Sequence, residues 1–285
     1  METPTPRIPT LALVSKAYTH AGTNLGQLWR IVGGWVALYG AATLVSYFGL
    51  AWLIATNIDF RFWVEGLPSR AQDLLFGIVP TLVSLIAVPA VAVAWHRLML
   101  LAETPRGFLP FKGGRVAQYT GRVMITLGVL MIFMLLVLPV LAAMTAGLQP
   151  MPGASNIVVL VPLALWAAAL YVFARTGVAL PAAAVADSKW TVERSWHETH
   201  DDGLSLLGGT LLVIIPFLVA RGFASFIAVS LAADNQILPY AALSMMSFAV
   251  ALAGVAVGAG FYSFVYEFKA RPAGAADRPP ASHFS

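Results

Sequence analysis

Between Arg122 and Arg175 the chain runs for 52 residues without a charged side chain. Further uncharged runs occupy 31–58, 74–95, 203–220 and 235–266. A helix crossing a bilayer needs only about 20 mostly apolar residues, so each run is long enough to serve as a span. Composition agrees. Of 285 residues, 59% are apolar and 11% charged, whereas a soluble domain carries roughly 45–50% and 25%. The expected fold class is all-α, a polytopic integral membrane protein.

The 52-residue run cannot be a single span, because as one helix it would reach about 78 Å across a hydrocarbon core of about 30 Å. The turn-forming string Gly147-Leu-Gln-Pro-Met-Pro-Gly153 divides it. Six transmembrane helices are therefore expected within 28–269, at 29–56, 73–101, 120–146, 156–185, 204–232 and 238–268. The first apolar run, starting near Leu28, is longer than the 7–15 residues of a signal h-region and is expected to be retained as span one. In the preceding segment, 1–27, Leu11, Val14, Tyr18, Ala21, Leu25 and Leu28 follow a spacing of three to four. That spacing predicts a short amphipathic helix lying in the membrane interface. A second interfacial helix is expected at 189–202, with Val192, Trp196 and Thr199 toward the membrane. The Pro-, Ala- and Gly-rich tail, 270–285, is expected to be disordered.

Six spans put both termini on one side, and the basic residues say which. Fourteen of the 17 Lys and Arg fall in the N-terminal segment, the second and fourth connectors and the C-terminal end; only Arg61, Arg70 and Arg221 fall on the other side. Cytoplasmic loops carry that excess, so both termini are expected in the cytoplasm. The net charge of +4 has the same origin, and no basic stripe with interleaved aromatics marks a nucleic-acid partner. Spans two, four and six each end in charge at the membrane edge, a weak three-hairpin pattern.

Ionisable groups near the bilayer centre mark function by default, and none falls in the middle of spans one, three or six. Absent cysteine excludes thiolate metal sites and a cysteine nucleophile. Glu193, His197, Glu198, His200, Asp201 and Asp202 form the most metal-like cluster, but they lack the HExxH spacing and read as the water-facing side of an interfacial helix. Gly113-Gly114 lacks the phosphate-loop pattern. No cofactor, metal or catalytic residue is expected.

The candidate site residues are charges at the cytoplasmic edge. Arg106, Lys112 and Arg115 alternate with Phe108, Leu109 and Phe111, and such a segment attracts anionic headgroups at about 1 kcal/mol per basic residue. Arg97 and Arg175 are expected to pair with Glu103, Asp187 or Glu193, with Trp196 close to this edge. Arg221 is expected near Asp59, Glu65 or Asp234. Small residues at Gly254, Ala256, Gly258 and Gly260 of span six, and at Gly33, Ala37 and Ala41 of span one, predict close helix packing. The span-six set offers self-association or docking of another membrane protein.

Two strings carry a family resemblance: Trp95, His96, Arg97 and Glu103 after the second span, then Arg175, Leu180, Pro181, Ala182, Ala183, Ala184, Ser195, Trp196 and Thr199 after the fourth. In these the chain resembles uncharacterised bacterial six-span membrane proteins loosely related to the YciC-like group. Some of those are likened to the membrane domain attached to certain glycerophosphodiester phosphodiesterases. The resemblance implies a membrane module, with the phosphodiesterase activity belonging to an attached domain that this chain is not expected to carry. His200-Asp201-Asp202 departs from the Arg-Gly-Asn-like string usual after Thr199. The expected function is a non-catalytic module in envelope or lipid organisation, with membrane lipids as partners. The alternative is a small-solute or lipid transporter kinked at Pro89, Pro139 or Pro216.

Overall fold

In the computed structural model the described residues are 7–67, 69–128, 131, 154–233 and 237–270, with the backbone alone for 69–76, 154–163, 228–229, 231–233 and 237. Helices joined by short links account for these residues, and no strand occurs among them. In chain order they are α1 (Thr10–Thr23), α2 (Leu25–Thr56), α3 (Ile58–Glu65) and α4 (Ser69–Leu101). A helix starting at 113 and described to 128 is α5. Then come α6 (Ala154–Thr176), α7 (Ala179–Val185), α8 (Val192–Glu198), α9 (Gly203–Ala233) and α10 (Ile237–Ala270).

Among the described residues four helices are long and apolar enough to cross a membrane: Leu25–Thr56, Gly77–Leu101, Gly203–Ile227 and Leu238–Ala270. Their outer faces carry large exposed apolar side chains. On α9 these are Leu212, Ile215, Val219 and Phe226, and on α4 Ile78, Leu82 and Leu85, each set at helical spacing. Stripes of this size do not face water in soluble monomers, and a helix is the spanning form that satisfies its own backbone in lipid. The protein is membrane-embedded through these helices. Of the expected third span, all but the start of α5 lies outside the described residues. So do the 147–153 turn, Pro139, Asp234 and the tail from 271.

The fourth expected span is not straight. Ala164–Thr176 and Ala179–Val185 meet at a bend of 43° and pass as a fifth span only together. Pro181 lacks the N–H that would reach the Gly177 carbonyl, and its ring would clash there. Leu180 instead closes a tighter turn onto that carbonyl at 3.0 Å. A Cβ at Gly177 would stand 2.8 Å from the Phe173 carbonyl and 2.9 Å from the Tyr262 ring, so only glycine fits the bend.

The chain forms two compact units. One comprises the described parts of 1–17, 113–212 and 261–285. Its core holds Val178 to Ala184 of the bend, Trp190, Leu206, Phe261, Tyr262 and Val265. The other comprises 18–112 and 213–260, where α2 packs on α4 and buries Ile31, Trp35, Val91, Val93 and Trp95.

Two packing expectations change. The α1 stripe does not lie wholly against lipid: Val14, Ala17 and Ala21 are buried within the protein, while Leu11 and Leu25 are exposed. On α2 the packed glycines are Gly34 and Gly40, and Ala37 and Ala41 of the expected face are exposed. In α10 the small residues do pack, but within the chain: a Cβ on Gly254 would meet the Phe217 ring at 2.8 Å, and one on Gly258 would lie 3.8 Å from Val213.

Helix α7 ends with Ala186 in the left-handed region at φ 67°, so that Asp187 N–H reaches the Ala182 carbonyl at 2.8 Å. This is a Schellman ending with alanine where glycine is preferred. The left-handed form costs an L-residue roughly 1–2 kcal/mol, and glycine returns part of that through its freer unfolded chain. Ala186 is exposed. Ala186→Gly is expected to stabilise the protein by about 0.5–1 kcal/mol and raise its thermal midpoint in detergent by about 1–4 °C; Ala182→Gly should lower it.

Candidate functional site

At the end of α4 the chain must leave the helix and return a basic loop to the same place. Ala102, at φ 51°, turns it, and Glu103 N–H reaches back to the Arg97 carbonyl at 3.3 Å. Gly107 makes a second left-handed turn at φ 85°. The loop then lies against α2 so closely that a Cβ on Gly34 would stand 1.9 Å from the Phe108 carbonyl oxygen. Gly34 thus makes the seat for the loop. Edge-to-face contact of Phe111 with Trp35, ring centroids 6.4 Å apart, holds the returning stretch of chain.

The result is a cavity of about 450 Å³ lined by Ala90, Val93 and Ala94 of α4 and by Arg97, Glu103, Arg106, Phe111 and Lys112 among others. Arg97 donates from Nε and Nη2 to one Glu103 oxygen at 2.8 and 2.5 Å. Lys112 donates to the other oxygen. The Lys112 ammonium, with Arg97 adding to it, holds the Glu103 carboxyl below its ordinary 4.5, against the opposing effect of partial burial. Arg106 lines the cavity, exposed and with no hydrogen bond or ion pair among the described residues. Four of the seven expected site residues therefore meet here. Arg115 does not line the cavity; on α5 it donates to Gln118 at 2.9 Å.

Arg175 departs from expectation. No carboxylate lies within ion-pair distance of it among the described residues. It sits in the last turn of α6, almost fully buried, with its guanidinium carbon 3.6 Å above the Trp196 ring and 5.6 Å from that of Tyr171. It donates to the Trp196 carbonyl, to Thr199 Oγ1 and to the Tyr171 hydroxyl. A guanidinium is weakly hydrated and stacks on rings, so aromatic faces and neutral oxygens replace a counter-ion. The α6 C-terminus, with its negative dipole end, favours the charge further. The face of α8 expected toward the membrane meets protein instead: Ser195 and Thr199 are buried, Ser195 Oγ donates to the Arg175 carbonyl at 2.6 Å, and Glu193, His197 and Glu198 stay exposed on the other side.

Two pins escaped sequence reasoning. Arg122 donates to the carbonyls of Ala179, Trp190 and Asp187 at 2.6, 3.0 and 3.4 Å, tying the bend to the connector after it. Asp202 accepts Lys269 at 2.7 Å and the Ile8 N–H at 3.1 Å, while its carbonyl takes the first turn of α9. Its position just before Gly203 carried a readable N-cap signal. Asp187 accepts the Tyr266 hydroxyl at 2.6 Å, and that bond chiefly holds its carboxyl below the usual range.

The His-rich cluster is dispersed. His200 and Asp201 are exposed neighbours, Glu198 faces Arg194, and Asp202 points inward. Among the described residues no three His, Asp or Glu side chains gather to hold a metal. At the far end of the spans, Glu65 pairs with Arg61, and Arg221 forms no ion pair among the described residues. The chain matches no protein-family model, no curated protein and no solved structure.

A carboxyl held below its unfolded value stabilises the fold above that unfolded value and loses the contribution as pH falls through the lower one. The difference in thermal midpoint between the wild type and Glu103→Gln is expected to stay flat from about pH 7 to about pH 5 and to shrink below about pH 4.5. A difference that already shrinks near neutral pH would show that the carboxylate is not held by Arg97 and Lys112.

Proposed function

We propose that this chain is a non-catalytic module of the bacterial cytoplasmic (inner) membrane, acting in envelope or lipid organisation by holding anionic lipid at its cytoplasmic edge. It has six spans, with both termini in the cytoplasm, and belongs with the YciC-like proteins that its Trp95-His96-Arg97 and Arg175…Trp196 strings resemble. The observation that carries this reading is the loop after α4. It gathers Arg97, Arg106 and Lys112 around one cavity and leaves Phe108 and Phe111 exposed beside them. Cations with exposed aromatics at a helix end suit headgroup depth, where rings anchor and basic side chains meet anionic lipid. The fourteen-to-three distribution of Lys and Arg supports a cytoplasmic placement of that loop.

The native chain has no cysteine, so single cysteines report topology directly. Glu65→Cys on α3 is expected to react with a membrane-impermeant maleimide in intact spheroplasts, and Glu193→Cys on α8 only after permeabilisation. The reverse pattern would overturn the orientation. For the lipid reading, protein purified in mild detergent should retain anionic phospholipid, and the triple variant R106E/K112E/R115E should retain several-fold less. An unchanged lipid complement would overturn it.

A further inference from the structure

We propose that the cavity at the end of α4 selects a phosphomonoester headgroup, the dianionic end of a phosphatidate-type lipid, over singly charged phosphodiester lipids. This rests on the reading that the loop lies at headgroup depth and binds anionic lipid.

Arg97, Arg106 and Lys112 supply three cations, and Glu103 removes one, which leaves two positive charges around one space. A phosphomonoester carries about −1.5 to −2 at neutral pH, whereas a phosphodiester carries one negative charge. A singly charged headgroup would leave a cation unmatched next to an apolar wall. Donor geometry gives the same preference. Arg106 has no other partner among the described residues, and Lys112 gives one of its three N–H groups to Glu103. The donors left over suit the three terminal oxygens of a monoester better than the two free oxygens of a diester.

The cavity also has a place for the glycerol end of such a lipid. Ala90, Val93 and Ala94 form an apolar wall, and Phe111 adds to the apolar lining. The glycerol and first methylenes fit such a wall; inorganic phosphate would leave it unused. The volume of about 450 Å³ is in the range of small-ligand sites. Ala102, in a conformation that L-residues rarely adopt, forms part of the lining. Backbone held this way is a mark of built sites. Glu103 has two tasks: it orients Arg97, and it shares Lys112 until a phosphate takes that ammonium.

The test uses the full chain in phosphatidylcholine nanodiscs doped with either phosphatidate or phosphatidylglycerol, with bound lipid read by native mass spectrometry. Glycerol 3-phosphate serves as the water-soluble competitor. Phosphatidate is expected to be retained about fivefold or more above phosphatidylglycerol, and Arg106→Gln and Lys112→Gln should each lower its retention about fivefold. Glu103→Gln, which removes the competing negative charge, should raise it. Equal retention of the two lipids, both lowered by Arg106→Gln, would overturn the monoester preference while the anionic-lipid reading stands. Retention of neither lipid would overturn both. Phosphatidate retention unmoved by Arg106→Gln and Lys112→Gln would overturn the cavity as its site. Competition by glycerol 3-phosphate as strong as that by phosphatidate would overturn the lipid as the source of the phosphate.

Discussion

Lipid tails are as apolar as leucine, so the hydrophobic effect gives embedded helices little reason to choose one another. Their arrangement is then fixed by close packing through small residues and by hydrogen bonds at the helix ends, where polar groups can be placed. Both devices are visible. Gly34, Gly177 and Gly254 sit where a Cβ would collide with a carbonyl or an aromatic ring. Arg122, Asp202 and Arg175 each join segments remote in sequence through buried or half-buried hydrogen bonds. The long apolar stripes of α4 and α9 contribute solubility in lipid; the pins contribute the specific fold.

This division explains what the sequence showed and what it hid. Helix-length apolar runs and charged edges follow from composition, so the positions of α2, α4, α9 and α10 were readable. The bend at Gly177 was readable in principle, because Pro181 denies a hydrogen bond to the turn before it, but a run of alanines at 182–184 disguised it as continuous helix. The Gly33, Ala37, Ala41 stripe of α2 is not its packed face, which holds Gly34 and Gly40. A mean hydropathy period cannot separate a face that meets lipid from one that meets protein, since both are apolar. What sets Gly34 apart from Gly33 is the loop some 74 residues later, whose Phe108 carbonyl and Leu109 side chain lie against it.

Long-range partners were hidden for the same reason. Asp202 looked like one member of a His- and Asp-rich cluster, because the sequence places it beside His200 and Asp201. Its actual ligands, Lys269 and the Ile8 amide, lie at the two ends of the described chain. By sequence Arg122 is only one more basic residue in a connector. Its three carbonyl acceptors exist because the bend and the α7 ending turn backbone oxygens toward it. Such a site has no signature in residue type, since every residue has a carbonyl.

Arg97 and Arg175 started as equivalents, two arginines at the ends of spans in search of a carboxylate, and they resolve into opposite solutions. Arg175 is enclosed by rings, hydroxyls and a carbonyl and is almost fully buried, so its charge serves to hold α8 against α6. Arg97 has a carboxylate, but one that it shares with Lys112 in a cavity that also holds Arg106, unpaired among the described residues. A closed cage can only stabilise, whereas three cations around one carboxylate leave surplus positive charge facing an open cavity. The difference lies in the return of one loop, seated on Gly34 and turned at Ala102, which delivers two further cations to the end of α4. That loop, and not the arginine at the helix end, is what makes the site open to a ligand.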